Sequence, residues 1–67
     1  MTNDQLRLAL GELNGERDAL FQFHNAKECR VDNAMLIPAE DDKLVKVSDG
    51  RHIFIIDAQS VTWIRIG

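Results

Sequence analysis

An Asp-Gly pair between two β-rich runs is the feature of this sequence that most restricts its fold. Asp49 and Gly50 separate an alternating segment, residues 43–48, from residues 51–57, which are rich in isoleucine and contain a phenylalanine. Asp-Gly favours the primed turns, whose backbone twist matches that of the flanking strands. The pattern therefore predicts a β-hairpin with one strand over each of the two segments.

Three further segments have the composition of strands. Residues 18–24 alternate and are enriched in aromatic side chains, which favours a strand over the alternative of a helix that continues through Gly15. Residues 28–37 read as extended, and Pro38 marks the end of a strand or an exposed edge. Residues 61–66 follow a short polar turn and form the last predicted strand. The chain is therefore expected to contain five short strands.

The N-terminal segment has the pattern of an amphipathic helix over residues 3–13. Thr2 and Gln5 fit a capping box, which satisfies two backbone N–H groups at a helix start. Asn14 followed by Gly15 is a typical helix stop. Four apolar residues recur at helical spacing and are expected to form one buried stripe: Leu6, Ala9, Leu10 and Leu13.

A helix followed by five antiparallel strands predicts an α+β, mostly β, fold. This layout is that of small barrels of the SH3 or Sm type. A helix cannot bury its apolar stripe alone, so it should cover one open end of the barrel.

Length and charge restrict what such a domain can do. At 67 residues the chain is expected to be one domain, 1–67, of a size that often needs disulfides, metals or self-association for stability. Cys29 is the only cysteine, which excludes a disulfide within one chain and favours a reducing, cytoplasmic location. The net charge of −3 argues against binding nucleic acid mainly through phosphates. No apolar run approaches the length of a membrane span, so no membrane association is expected.

The sequence contains no recognisable catalytic or metal-binding pattern, and we expect neither an enzyme nor a cofactor. Two histidines and Cys29 lack the spacing of a metal site, and a lone cysteine usually packs as a small apolar residue. The acidic residues 40–42 are expected to form a solvated turn, because a calcium loop needs alternating ligands and a central glycine. An enzyme would need His24, Cys29 and this acidic turn in one pocket.

The C-terminal half resembles the last three strands of Sm-like proteins. The resemblance lies in residues 45–47 (Val-Lys-Val), 49–50 (Asp-Gly), 52–55 (His-Ile-Phe-Ile) and 61–64 (Val-Thr-Trp-Ile), and it extends over about residues 19–67. It implies a bent five-stranded barrel whose fourth and fifth strands pair between neighbouring subunits. Such subunits close a ring that often binds uridine-rich RNA.

The motif positions that bind RNA in that family hold other residues here. Ala26 and Val31 stand where the first motif has glycines. The asparagine of the Asp-x-x-Met-Asn motif is missing from residues 41–44, and residues 56–58 (Ile-Asp-Ala) replace the Arg-Gly pair. The resemblance therefore implies the fold and the pairing of subunits more than it implies RNA binding.

Residues 53–56 are apolar on both faces of their predicted strand. A half-exposed strand should alternate apolar and polar residues, so either the helix and the core cover both faces or a partner covers one of them. The last predicted strand also has apolar residues on both faces, with Trp63 on one face and Ile64 and Ile66 on the other. We predict an oligomer interface formed by Ile53, Ile55, Val61 and Trp63.

These observations predict a non-catalytic binding module that self-associates through its C-terminal strands. Its further partner is expected to be a macromolecule, with protein favoured over RNA. The alternative is a divergent Sm-like RNA-binding protein, in which Trp63 would stack on a base. The candidate nucleic-acid surface consists of Lys46, Arg51, Trp63 and Arg65. The competing interpretation places Trp63 in the core.

Overall fold

The computed structural model describes all 67 residues as an α+β, mostly β, fold of one α-helix and six strands. The elements in chain order are α1 Asn3–Leu10, β1 Ala19–Phe23, β2 Cys29–Val31, β3 Met35–Leu36, β4 Val45–Ser48, β5 Ile53–Ile56, a 3-10 helix at Ala58–Ser60, and β6 Val61–Ile66. The strands form two antiparallel three-stranded sheets. The first sheet has the order β2-β1-β6 and the second has the order β3-β4-β5.

The predicted closed barrel of five strands is wrong, because the predicted strand over residues 28–37 is divided between the two sheets. Its middle bonds to the segment that precedes β1. The N–H of Asn33, which has a left-handed φ of 48°, donates to the carboxylate of Asp18 at 3.0 Å. The N–H of Ala34 donates to the carbonyl of Arg17 at 2.7 Å. These bonds end β2 and let β3 join the other sheet.

Helix α1 begins as predicted but ends before residue 13. The capping box is present, since the Thr2 hydroxyl accepts the Gln5 N–H at 3.0 Å and the Gln5 side chain accepts the Thr2 N–H at 2.9 Å. The helix ends at Leu10, and the N–H of Gly11 donates to the carbonyl of Leu8. The chain therefore leaves the helix earlier than the predicted stop at residues 14–15.

The predicted apolar stripe of the helix is buried except at one position. Leu6, Leu10 and Leu13 are buried, whereas Ala9 is exposed. Burial is confined to positions i, i+4 and i+7, which form a narrower stripe than the one predicted. The helix therefore buries Leu6 and Leu10, and the segment that follows it buries Leu13.

The core lies between the helix and the two sheets and is entirely apolar. Its largest fully buried side chain is Phe21 on β1, the central strand of the first sheet. The other eleven buried residues come from the helix, the segment that follows it and five of the strands or their connections: Leu6, Leu10, Leu13, Ala19, Val31, Ala34, Val45, Val47, Ile56, Ala58 and Val61. No polar side chain is buried with them. Residues 19–23 are a strand, so the alternative of a longer helix is wrong.

The hairpin predicted around the Asp-Gly pair joins β4 to β5. Only Gly50 in this turn has a positive φ, at 93°. The carboxylate of Asp49 accepts the N–H groups of Arg51 at 2.8 Å and His52 at 2.6 Å. These bonds from His52 and Arg51, together with the side chain of His52, hold the pKa of Asp49 down at about 2. Because both residues belong to the turn, β5 begins at residue 53 and not at the predicted 51.

Candidate functional site

Strand β5 lies at the edge of the second sheet, and its outward face is apolar. It pairs with β4 alone. Ile53 lies opposite Ser48 and Ile55 lies opposite Lys46, so these four side chains share one face of the sheet. Ile53 is 56% exposed and Ile55 is 61% exposed, whereas Ile56 at the end of the strand is buried. Two of the residues predicted for the oligomer interface are thus exposed on an edge strand.

The same two isoleucines direct their backbone polar groups toward the open edge of the sheet. The N–H of Ile37 donates to the carbonyl of Lys46 at 3.0 Å, so the backbone of Lys46 faces β3. In an antiparallel sheet successive residues bond to opposite sides, and the alternate residues of β4 therefore bond β5. By the same alternation the backbone groups of Ile53 and Ile55 point away from β4. An edge of this kind is a template for pairing with another strand.

The apolar face continues from β5 across the second sheet. Met35, which lies opposite Ser48 on β3, is 45% exposed, and Leu44, just before β4, is 42% exposed. A shallow groove of about 380 Å³ opens beside Ile55, between Leu44 and the 3-10 helix. Sequence patterning did not mark Met35 or Leu44 as exposed apolar positions. Met35 lies in no alternating run, and Leu44 lies in one whose other outward positions, Lys46 and Ser48, are polar.

Lys46 interrupts this face but is neutralised there. Its ammonium donates to Asp42 at 2.6 Å and to Glu40 at 2.8 Å. The hydrogen bond to Asp42, followed by the one to Glu40, raises the pKa of Lys46. The acidic residues 40–42 are exposed, as predicted for a solvated turn, and two of the three carboxylates bind this lysine. Lys46 is therefore part of an ion-pair cluster within the second sheet and its preceding loop.

Strand β6 is the edge of the first sheet, and its exposed face carries Trp63. Trp63 lies opposite Gln22 and Arg65 lies opposite Leu20 on β1, which places these side chains on one face. Trp63 is 45% exposed, so the interpretation that places it in the core is wrong. Val61 is 4% exposed and belongs to the core. Of the two β6 residues predicted for the oligomer interface, only Trp63 presents its side chain at the surface.

The four residues of the predicted nucleic-acid surface lie in three places. Trp63 and Arg65 share the outer face of the first sheet. Lys46 lies on the outer face of the second sheet, where it binds two carboxylates. Arg51 lies in the turn between β4 and β5 and has no ion pair. The fold brings only Trp63 and Arg65 onto one face.

The groups considered for catalysis have no arrangement that favours it. Burial raises the pKa of the Cys29 thiol, whereas a nucleophilic cysteine needs a lowered pKa. Cys29 lies in β2 opposite Phe21, and His24 is exposed just beyond β1. No three His, Cys, Asp or Glu side chains lie close enough together to hold a metal ion.

Comparison with known proteins identified no relative of this chain. No protein-family model, no curated protein and no solved structure matches the chain. None of its helices has the length and apolar character needed to cross a membrane. The candidate site is therefore defined by its geometry alone, as the apolar outer face and open edge of β5 (Ile53 and Ile55), with the Trp63 face on the other sheet.

Proposed function

We propose that this protein is a non-catalytic interaction module that self-associates through its C-terminal strands and binds a further macromolecular partner, with protein favoured. One observation carries the proposal. Ile53 and Ile55 combine more than half-exposed apolar side chains with backbone N–H and C=O groups at an unpaired sheet edge. Natural proteins protect such edges with charges, proline, bulges or cover, and β5 itself contains no charged residue and no proline.

Burial of the exposed isoleucines at this edge favours association. Fully burying an isoleucine side chain contributes about 1.5–3 kcal/mol, and somewhat more than half of each of these two remains exposed. Covering both on each of two copies would contribute roughly 4–7 kcal/mol before the costs of association. Backbone hydrogen bonds between edges would add to this.

The charge distribution favours a protein partner over a nucleic acid. The chain carries a net charge of −3. Lys46 is bound by Glu40 and Asp42, and Arg30 is bound by Asp18 and Asp32. The other six Lys and Arg side chains form no ion pair, but eleven Asp and Glu residues outnumber the eight basic ones. This acidic balance disfavours binding to phosphates, which supply most of the affinity of a nucleic-acid complex.

Light scattering behind size exclusion tests the self-association. We expect an assembly larger than one chain at tens of micromolar, and a monomer over that range would refute it. Ile55→Lys should shift the protein toward monomer, because it places a charge on the open edge. Leu8→Lys is the matched control, since Leu8 is 82% exposed on the helix and its replacement should leave the mass unchanged.

A second candidate function, binding of single-stranded RNA, rests on the exposed Trp63 beside Arg65. An exposed aromatic ring next to a cation can stack on a base, which contributes about 1–3 kcal/mol per base. Trp63 is the only tryptophan, so its fluorescence reports binding directly. Uridine- or adenosine-rich oligonucleotides should quench it in a strongly salt-dependent way. No change at low salt, together with an absorbance ratio of freshly purified protein that shows no copurified nucleic acid, would remove this candidate.

A further inference from the structure

We propose that two copies of this chain pair with each other through their β5 strands, antiparallel and across a two-fold axis that passes beside Phe54. This inference rests on the self-association proposed above. The pairing joins two copies of the second sheet into one continuous six-stranded sheet. It makes the interface self-complementary, so that the assembly closes as a dimer.

The direction of the backbone groups selects the register. Ile53 and Ile55 are the β5 residues whose N–H and C=O groups point to the open edge, as the pairing of β4 with its two neighbours requires. In an antiparallel pair centred on Phe54, Ile53 of one copy lies opposite Ile55 of the other. Each of these two residue pairs then exchanges both backbone hydrogen bonds. A register centred on Ile53 would pair Ile53 with its own copy and place Ile55 opposite Arg51. A register centred on Ile55 would pair Ile55 with its own copy and place Ile53 opposite Asp57.

The exposed side chains match in the same register. Ile53 and Ile55 of one copy meet Ile55 and Ile53 of the other on the outer face, where the monomer leaves them exposed. Counting outward from Phe54, Arg51 of each copy falls opposite Asp57 of the other. Asp57 still has an extended backbone, with φ −81° and ψ 103°, so the strand geometry reaches its position. Two apolar pairs are thus flanked by two pairs of opposite charge.

The surface around Asp57 is able to receive an arginine. Asp57 lines the groove of about 380 Å³ beside Ile55, and its side chain is exposed. Its carboxylate accepts the Gln59 N–H at 3.1 Å and the Ser60 hydroxyl at 2.8 Å, which leaves lone pairs for a guanidinium. Arg51 has no ion pair within its own chain. The pairing therefore brings together a cation and an anion that the single chain leaves apart.

Charge reversal with mixing tests this arrangement in the full chain. Arg51→Glu places like charges opposite each other at both ends of the dimer, and its dissociation constant should rise about tenfold or more. Asp57→Arg should weaken the dimer equally. A mixture of the two variants should recover the wild-type affinity, because every 51–57 pair in the mixed dimer is again of opposite charge. Arg65→Glu, which makes the same charge change on β6, should leave the affinity unchanged.

A cysteine at the axis supplies a second test that does not depend on Asp57, which also caps the 3-10 helix. In the register centred on Phe54 the two copies of this residue form a non-hydrogen-bonded pair, with Cα atoms about 4.5 Å apart, within the range of a disulfide. Phe54→Cys in a Cys29→Ser background should form a covalent dimer on mild oxidation. Ile53→Cys in the same background is the matched control and should cross-link less readily, because Ile53 faces residue 55 and not itself.

The outcomes separate this inference from the proposed function. Recovery of affinity in the mixture and the cross-link at residue 54 would establish the two-fold pairing. An oligomer that ignores Arg51→Glu, responds to Arg65→Glu and fails to cross-link at residue 54 would overturn it while leaving self-association standing. A wild-type monomer at tens of micromolar would overturn both.

Discussion

Two leucines two positions apart on helix α1 provide a direct test of how the helix packs. Leu6 is fully buried, whereas Leu8 is 82% exposed. Both substitutions to alanine remove the same atoms from the same helix, and both change the intrinsic helix propensity by the same small amount. The two variants therefore differ only in the tertiary contacts that they lose.

The expected difference between the two variants is a large fraction of the stability of the domain. Replacing a fully buried leucine with alanine costs about 2–5 kcal/mol, through the lost transfer free energy and the cavity that remains. A chain of this length has a free energy of unfolding of roughly 3–10 kcal/mol. Leu6→Ala should therefore lower the Tm by roughly 10–30 °C or prevent folding altogether. Leu8→Ala should change the free energy of unfolding by less than about 0.5 kcal/mol.

The assay is urea unfolding followed by far-UV circular dichroism, with thermal melts in parallel. All proteins are compared at one low concentration, because self-association adds stability by mass action. If Leu6→Ala and Leu8→Ala destabilise the protein equally, the helix does not pack on the sheets through the stripe of Leu6, Leu10 and Leu13, and the argument for the core is refuted.

Three further predictions concern the turn between β4 and β5 and the single thiol. Because the folded pKa of Asp49 is lowered from 3.8 to about 2, its carboxylate contributes stability above pH 4 that is lost as the pH falls from about 4 to 2. Asp49→Asn should remove this part of the pH dependence of the free energy of unfolding, measured by urea titrations at each pH. If the loss of stability between pH 4 and 2 is the same in the variant, Asp49 is not its source. Gly50→Ala should destabilise the protein by about 1 kcal/mol. The cost comes from the φ of 93° and not from a clash, because an added Cβ would meet no atom within 4 Å. An unchanged urea midpoint would argue against the left-handed φ. Cys29 should react with iodoacetamide more slowly in the folded protein than in urea, since burial raises its pKa; equal rates would show that the thiol is not shielded.

The parts of the fold that were predictable from the sequence are those set by local interactions. The capping box at Thr2 and Gln5 depends on two residues three positions apart, and the hairpin depends on the Asp49–Gly50 pair and its flanking runs. The exposed isoleucines of β5 were also identified, because an apolar residue on each face of a short strand is visible in the sequence. Each of these features involves neighbours along the chain.

The division into two sheets was not predictable, because it depends on bonds between distant segments. Asp18 accepts the N–H of Asn33, fifteen residues away, and this bond breaks what reads as one continuous strand. Arg7 of the helix donates to the carbonyls of Ile37 and Leu44, and nothing near Arg7 in the sequence indicates that it would hold the loop before β4. The contribution of these hydrogen bonds to stability is decided only when folding brings the distant partners together.

For the candidate site, the sequence by itself determined which residues are apolar, charged or aromatic, and which strand carries too many apolar side chains for a half-exposed position. Only the tertiary structure decided which of them face solvent. Val61 and Trp63 lie two positions apart on β6, yet one is buried and the other is exposed, because a register shift between Gln22 and Phe23 interrupts the pairing of β6 with β1 at that point. A bulge places an extra residue in one strand and changes which face the following side chains occupy. The pattern of residue types cannot specify that shift, since it is fixed by the packing of β6 against β1.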